Sequence, residues 1–144
     1  MVTHYIHRGL ATKKLKENTV AAFKYSFKKG YGIETDIQCT KDNKIICFHD
    51  FNLKKRFRVN KNIKNINYSE IKKISLKFNY KVPLIDDLLK LKRGKLPLMI
   101  EIKPIFSKRI LLSLLNKIKG VKNCCLTSFH EKNLIKLSKL KKKL

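Results

Sequence analysis

Residues 32–38 read Gly32-Ile33-Glu34-Thr35-Asp36-Ile37-Gln38, and the fold turns on taking them as a short strand that places Glu34 and Asp36 on one face. Lys41-Asp42-Asn43-Lys44 follows as a turn, and Ile45 to Phe48 runs back as a hairpin partner. Upstream, Tyr5 to His7 ends a first strand. A loop leads to Glu17-Asn18-Thr19, which opens a helix with Val20, Phe23 and Phe27 on one face and Gly30 at its C-terminal cap.

Downstream, Asp50 to Asn67 reads as polar and irregular, and Ser69 is placed to cap a short helix containing Ile71 and Ile74. Pro83 precedes a helix from Ile85 to Arg93, stopped by Gly94. Leu98 to Ile102 is a third core strand. Ser107 caps a helix with Ile110, Leu111, Leu114, Leu115 and Ile118 on one face, closed by Gly120. Cys124 to Ser128 is a fourth strand, and Glu131 to Leu144 a last basic helix that frays from Lys139 onward. Short apolar strands alternating with amphipathic helices are the pattern of parallel βα units, here four of them.

The chain of 144 residues has room for one domain, and 43% hydrophobic with 31% charged residues is a globular composition, not a disordered one. No apolar run is long enough to cross a bilayer. Met1 to Arg8 is too short and polar for a signal peptide. A cytoplasmic location is therefore expected. Cys39, Cys47, Cys124 and Cys125 show no CxxC spacing and are expected to be small buried strand residues. A net charge of +25 raises nucleic acid as a partner, but the lysines are scattered along almost every segment instead of forming one block. A basic, Lys/Ile/Asn-rich proteome would give the same picture without any selected partner, and nucleic acid is the lesser expectation, although the field should favour anionic substrates.

Two carboxylates side by side repel each other unless a cation or a proton lies between them, and hard oxygen donors suit Mg²⁺ or Ca²⁺. Glu101 adds a third acid in the otherwise apolar run Leu98-Met99-Ile100, where a lone charge is costly. Lys103 shares its face, so a simple Glu101–Lys103 ion pair is the plainer alternative. His7 and His49 each close a strand beside this acidic set, at the strand ends where βα barrels place their active sites. Histidine both takes and gives a proton near neutral pH, as phosphodiester cleavage requires. Arg8 and Lys103 supply positive charge for phosphoryl oxygens. His4 and His130 have no such company.

Taken in order, His7-Arg8-Gly9, Glu17-Asn18-Thr19, Glu34-Thr35-Asp36, Thr40-Lys41-Asp42 through His49-Asp50, and Glu101-Ile102-Lys103 resemble the motifs of the glycerophosphodiester phosphodiesterase family. Val82-Pro83-Leu84 and Thr127-Ser128-Phe129 resemble further family segments, and the likeness covers nearly the whole chain. It implies an α/β fold, a TIM-type (β/α) barrel of the phospholipase-C-like phosphodiesterase kind with about its first half present, residues 1–144 forming a partial domain. It also implies metal-dependent hydrolysis of glycerophosphodiesters to glycerol 3-phosphate and an alcohol. In that reading Glu34, Asp36 and Glu101 hold a divalent cation, Mg²⁺ or Ca²⁺. His7 and His49 are the general acid/base pair, and Arg8 and Lys103 contact the phosphate. Glu17 and Asn18 line the site or brace the first loop; the plainer alternative, compatible with this, is that Asn18 caps a helix. The route implied is attack by the neighbouring glycerol hydroxyl, expulsion of the alcohol, then hydrolysis of a cyclic phosphate.

A TIM barrel has eight strands and typically about 250 residues. Half of one would leave two open sheet edges and an apolar interior face. Self-association, or a missing C-terminal half encoded further on, is therefore expected. The alternative functions are an inactive truncated remnant of such an enzyme and a basic nucleic-acid-binding protein.

Overall fold

Thr19 starts the first helix as expected: its backbone is extended and its hydroxyl accepts a hydrogen bond from the Ala22 amide. The computed structural model describes residues 4–92 and 94–141; Arg93 and residues 142–144, which fall in two of the expected helices, lie outside them. The strands are β1 (Tyr5–His7), β2 (Gly32–Cys39), β3 (Ile45–Cys47), β4 (Leu98–Ile102) and β5 (Cys124–Thr127). The helices are α1 (Val20–Lys28), α2 (Lys54–Phe57), α3 (Tyr68–Leu76), α4 (Ile85–Leu91), α5 (Lys108–Ile118) and α6 (Glu131–Lys141). The sheet runs β1-β2-β4-β5, all parallel, with β3 antiparallel to the far end of β2. Helices between successive parallel strands are what such crossovers demand. No described helix is long and apolar enough to cross a membrane.

Register sorts the strand residues into two faces. Ile33 pairs with Leu98, Thr35 with Ile100 and Ile37 with Ile102. The apolar side chains among them pack with Phe23 of α1, Leu88 of α4 and Leu111 and Leu114 of α5 into one core. Burying a side chain of that size contributes about 1.5–3 kcal/mol, so this face holds the sheet to its helices. The opposite face carries Glu34, Asp36 and Gln38 of β2 beside Met99 and Glu101 of β4. An apolar interior face was expected there. It is instead mostly polar and charged, because the apolar residues of these strands fall on the helix side.

Residues 50–67 are not irregular. They hold α2 and a 3-10 turn at Ile63–Asn65, and bury Leu53, Phe57, Ile63 and Ile66 in a second core with Ile46, Phe48, Ile71, Tyr80 and Val82. Phe48 stacks on Phe57 at 5.8 Å between ring centres, and Tyr80 meets both rings edge-on. The uneven spacing of the four apolar residues offers no period to read. Ser69 does not cap α3, which begins one residue earlier at Tyr68. The Tyr68 amide donates instead to Asp42 Oδ1 at 2.9 Å, a partner from the β2–β3 turn. Of the cysteines only Cys47 is buried; Cys39 and Cys124 are half-buried and Cys125 is exposed, and none of the four is joined in a disulfide.

Gly32 lies where β2 passes closest to the chain entering β4. A Cβ there would stand 2.5 Å from Pro97 Cγ and 2.8 Å from the Pro97 carbonyl oxygen. Gly32→Ala is therefore expected to destabilise the chain by about 1–3 kcal/mol through overpacking. Thermal melts with an unchanged midpoint would contradict this.

Candidate active site

The carboxylates meet because β2 and β4 are in register. Asp36 lies directly beside Glu101, and Glu34 is two residues before Asp36 on the same face. One oxygen from each of the three lies within 4.8 Å of the others. Such crowding must be neutralised. Arg8 Nε stands 3.0 Å from Asp36 Oδ2, and Lys103 Nζ stands 2.9 Å from Glu101 Oε1 and 3.7 Å from Asp36 Oδ1. The Glu101–Lys103 ion pair weighed from the sequence is thus present, but as one contact of a larger set. Burial, then the Asp36 charge, push the Glu34 carboxyl up to about 7, against the opposing hydrogen bond from the Arg8 amide.

Arg8 and Asn18 both hold left-handed backbone, with φ of 58° and 49°, which is costly for residues other than glycine. Asn18 does not cap α1; Thr19 does. The Asn18 side chain is buried, donates from Nδ2 to Asp36 Oδ2 at 3.2 Å and accepts from Thr35 Oγ1 at 2.8 Å. Glu17 faces Arg8 Nη1 at 3.4 Å and also pairs with Arg56, while its carbonyl accepts from the Tyr80 hydroxyl at 2.7 Å. The first loop is therefore braced from both sides.

His7 Nε2 lies 3.9 Å from Glu34 Oε2, with the imidazole 70% exposed. His49 follows β3, and its Nδ1 is 2.9 Å from Asp50 Oδ1. Gln38 fixes this turn: its buried amide donates to the carbonyls of Phe48, His49 and Asp50. The Phe48 amide in turn donates to the Asp36 carbonyl at 3.0 Å. Glu17, Asn18, Glu34, Asp36, Glu101, Arg8, Lys103 and His7 thus form one contact network. His49 is joined to it through Gln38 and Asp36.

Gln38, Asp50, Arg56 and Tyr80 had no assigned role in the sequence reading. Gln38 carried a usable signal, since it continues the 34, 36, 38 alternation on the charged face. Arg56 and Tyr80 carried none, because they reach Glu17 from the second core. The cysteines are excluded as nucleophiles or thiolate ligands at two positions: burial pushes Cys47 up to about 12 and Cys39 up to about 11, so both stay protonated at neutral pH.

Three carboxylates on two neighbouring strands are a donor set suited to a hard divalent cation. Glu101 Oε1 is buried without an aligned hydrogen bond, and Lys103 Nζ at 2.9 Å is the charge with which a coordinated cation would compete. The residues present fit such an ion.

Comparison with known proteins follows this geometry. The sequence model of the glycerophosphoryl diester phosphodiesterase family matches residues 7–142. A lysophospholipase D of Homo sapiens is 44% identical over 69 residues, which is 47% of this chain and 22% of that protein. The crystal structure of a glycerophosphodiester phosphodiesterase from Agrobacterium tumefaciens superposes with a TM-score of 0.81 at 25% identity, covering all of this chain and 65% of its own. An Oleispira antarctica phosphodiesterase, solved with the product sn-glycerol-3-phosphate, gives a TM-score of 0.82 at 18% identity, over 96% of this chain and 62% of its own. The chain spans less than two thirds of each of these relatives. Its parallel βα order is that of part of their TIM-type barrel.

Proposed function

Since this chain belongs to the glycerophosphoryl diester phosphodiesterase family, we propose that the carboxylate cluster and the two histidines hydrolyse glycerophosphodiesters to glycerol 3-phosphate and an alcohol. The observation that carries this reading is the convergence of Glu34, Asp36 and Glu101 with Arg8, Lys103 and His7 on one sheet face, with the His49 carbonyl held by Gln38 of the same strand. Glu34, Asp36 and Glu101 would hold the divalent cation, Mg²⁺ or Ca²⁺. A bound cation supplies Lewis acidity and offsets the negative charge of the phosphodiester. Arg8 and Lys103 contact the non-bridging phosphoryl oxygens. One histidine takes the proton of the glycerol hydroxyl as its oxygen attacks phosphorus. The other gives a proton to the departing alcohol oxygen as its bond to phosphorus breaks. Water then opens the cyclic phosphate with the two roles exchanged. Asp50 holds the Nδ1 side of His49 and leaves Nε2 for proton transfer. Four cysteines, none joined in a disulfide, agree with a cytoplasmic setting.

The test is phosphorus NMR of glycerophosphocholine incubated with the chain. Glycerol 3-phosphate should appear with Mg²⁺ or Ca²⁺ and stop on chelation. Folded protein that binds cation yet releases none would identify an inactive remnant.

A pH dependence follows from Glu34. Its carboxyl ordinarily titrates near 4.5 and is raised here to about 7. Between those values the folded, cation-free chain keeps a proton that the unfolded chain has lost, so its stability falls as pH rises through that window. Cation binding needs the carboxylate and must expel that proton. Titration at pH 6 is expected to release close to one proton, and at pH 8 almost none. Calorimetry in buffers of different ionisation enthalpy measures this; equal release at both pH values would remove Glu34 from the ligand set.

A further inference from the structure

Three large apolar side chains stand exposed near the C-terminal ends of β2, β4 and β5, Phe51 reaching the end of β2 from the chain that follows antiparallel β3. Phe51 is 54% exposed after β3, Ile105 48% after β4, and Phe129 89% after β5. Phe51 and Ile105 line one groove of about 530 Å³ together with Gln38, Lys64, Pro104 and His130. Phe129 precedes His130 and lies 5.9 Å from Lys103 Nζ. A fully exposed phenylalanine beside an apolar groove is not an ordinary surface feature.

The charge around these residues follows a pattern. Each apolar side chain is followed three or four residues later by exposed cations: Lys54 and Lys55 after Phe51, Lys108 and Arg109 after Ile105, and Lys132 after Phe129. Lys64 adds another in the groove itself. The acidic neighbours are Asp50, tied to His49, exposed Glu131, and the carboxylates of the sheet face, which Arg8 and Lys103 partly offset. Apolar tips within a collar of lysines match a bilayer surface, where the tips enter the acyl boundary and the cations meet anionic headgroups.

We propose that this rim docks on a lipid surface carrying anionic headgroups, turning the charged face of the sheet towards it. The docking requires no turnover, so it stands or falls apart from the enzymatic reading.

The experiment is co-sedimentation of the full chain with vesicles of phosphatidylcholine mixed with phosphatidylglycerol, and with vesicles of phosphatidylcholine alone. Binding to the mixed vesicles is expected, weakening as salt is raised. The triple variant Phe51→Ala, Ile105→Ala, Phe129→Ala should bind those vesicles on the order of tenfold to a hundredfold more weakly. All three positions are exposed, so the fold should be kept, which circular dichroism checks. Lys28→Glu with Lys29→Glu places a comparable charge change at the opposite end of the sheet and is expected to weaken binding much less than Lys54→Glu with Lys55→Glu. No vesicle binding overturns the proposal. So does binding untouched by the triple variant, or equal loss in the two lysine pairs, since either means diffuse adsorption of a basic chain. Self-association that the triple variant abolishes, or duplex DNA binding that it abolishes, names a different occupant and overturns it too.

Discussion

Asp36→Ala is expected to destabilise the chain by about 3–5 kcal/mol, the usual cost of leaving a buried ion-pair partner uncompensated. Asp36 is buried and answers three groups at once: Arg8 Nε at 3.0 Å, Asn18 Nδ2 at 3.2 Å and Lys103 Nζ at 3.7 Å. Its loss would leave Arg8 Nε, already buried without an aligned hydrogen bond, with no carboxylate of its own, Glu17 remaining at 3.4 Å from Nη1. In a chain of this size the melting midpoint should fall by roughly 10 °C. Asp36→Asn keeps the shape and an acceptor, so it should cost less stability while still abolishing strong cation binding. Equal melting of Asp36→Ala and the wild type would show that the cluster is not held together by these charges.

His49→Ala is expected to lower hydrolysis of glycerophosphodiesters on the order of a hundredfold to ten-thousandfold, the range for losing a general acid or base. Stability should change little, because the imidazole is about one third exposed and its neighbour Asp50 keeps partial access to water. Asp50→Ala should cost less than His49→Ala, since it disturbs the orientation of the ring and leaves the proton carrier in place. Rates and melting curves of the same preparations separate the two effects. A His49→Ala enzyme within twofold of wild type would remove His49 from the mechanism.

Much of this site was legible because strand parity is simple. Glu34 and Asp36 had to share a face, and Glu101 with Lys103 had to share another. That the two faces are one face depended on the register Asp36 beside Glu101, which no local pattern specifies. The βα alternation was legible for the same reason, since caps such as Thr19 and Ser107 act on their own helices. What stayed hidden was non-local. Asp42 caps α3 from 26 residues away, and Tyr80 holds the Glu17 carbonyl from 63 residues away. Residues 50–67 misled because their buried side chains answer to the aromatic cluster around Phe48 and Tyr80 and to no helical or strand period. The charged interior face followed from parity as well, but the expectation rested on barrels in general and not on these strands.

In the proposed mechanism, cation occupancy of the three carboxylates and phosphodiester cleavage are one event. The direct measurement is made on single preparations of wild type and Glu101→Gln: calorimetric binding of Mg²⁺ or Ca²⁺, and release of glycerol 3-phosphate from glycerophosphocholine. Glu101→Gln should lose cation affinity and product release together, on the order of tenfold or more for removal of one charged ligand. Undiminished release by Glu101→Gln, or release that persists when the cation is chelated, would contradict the account.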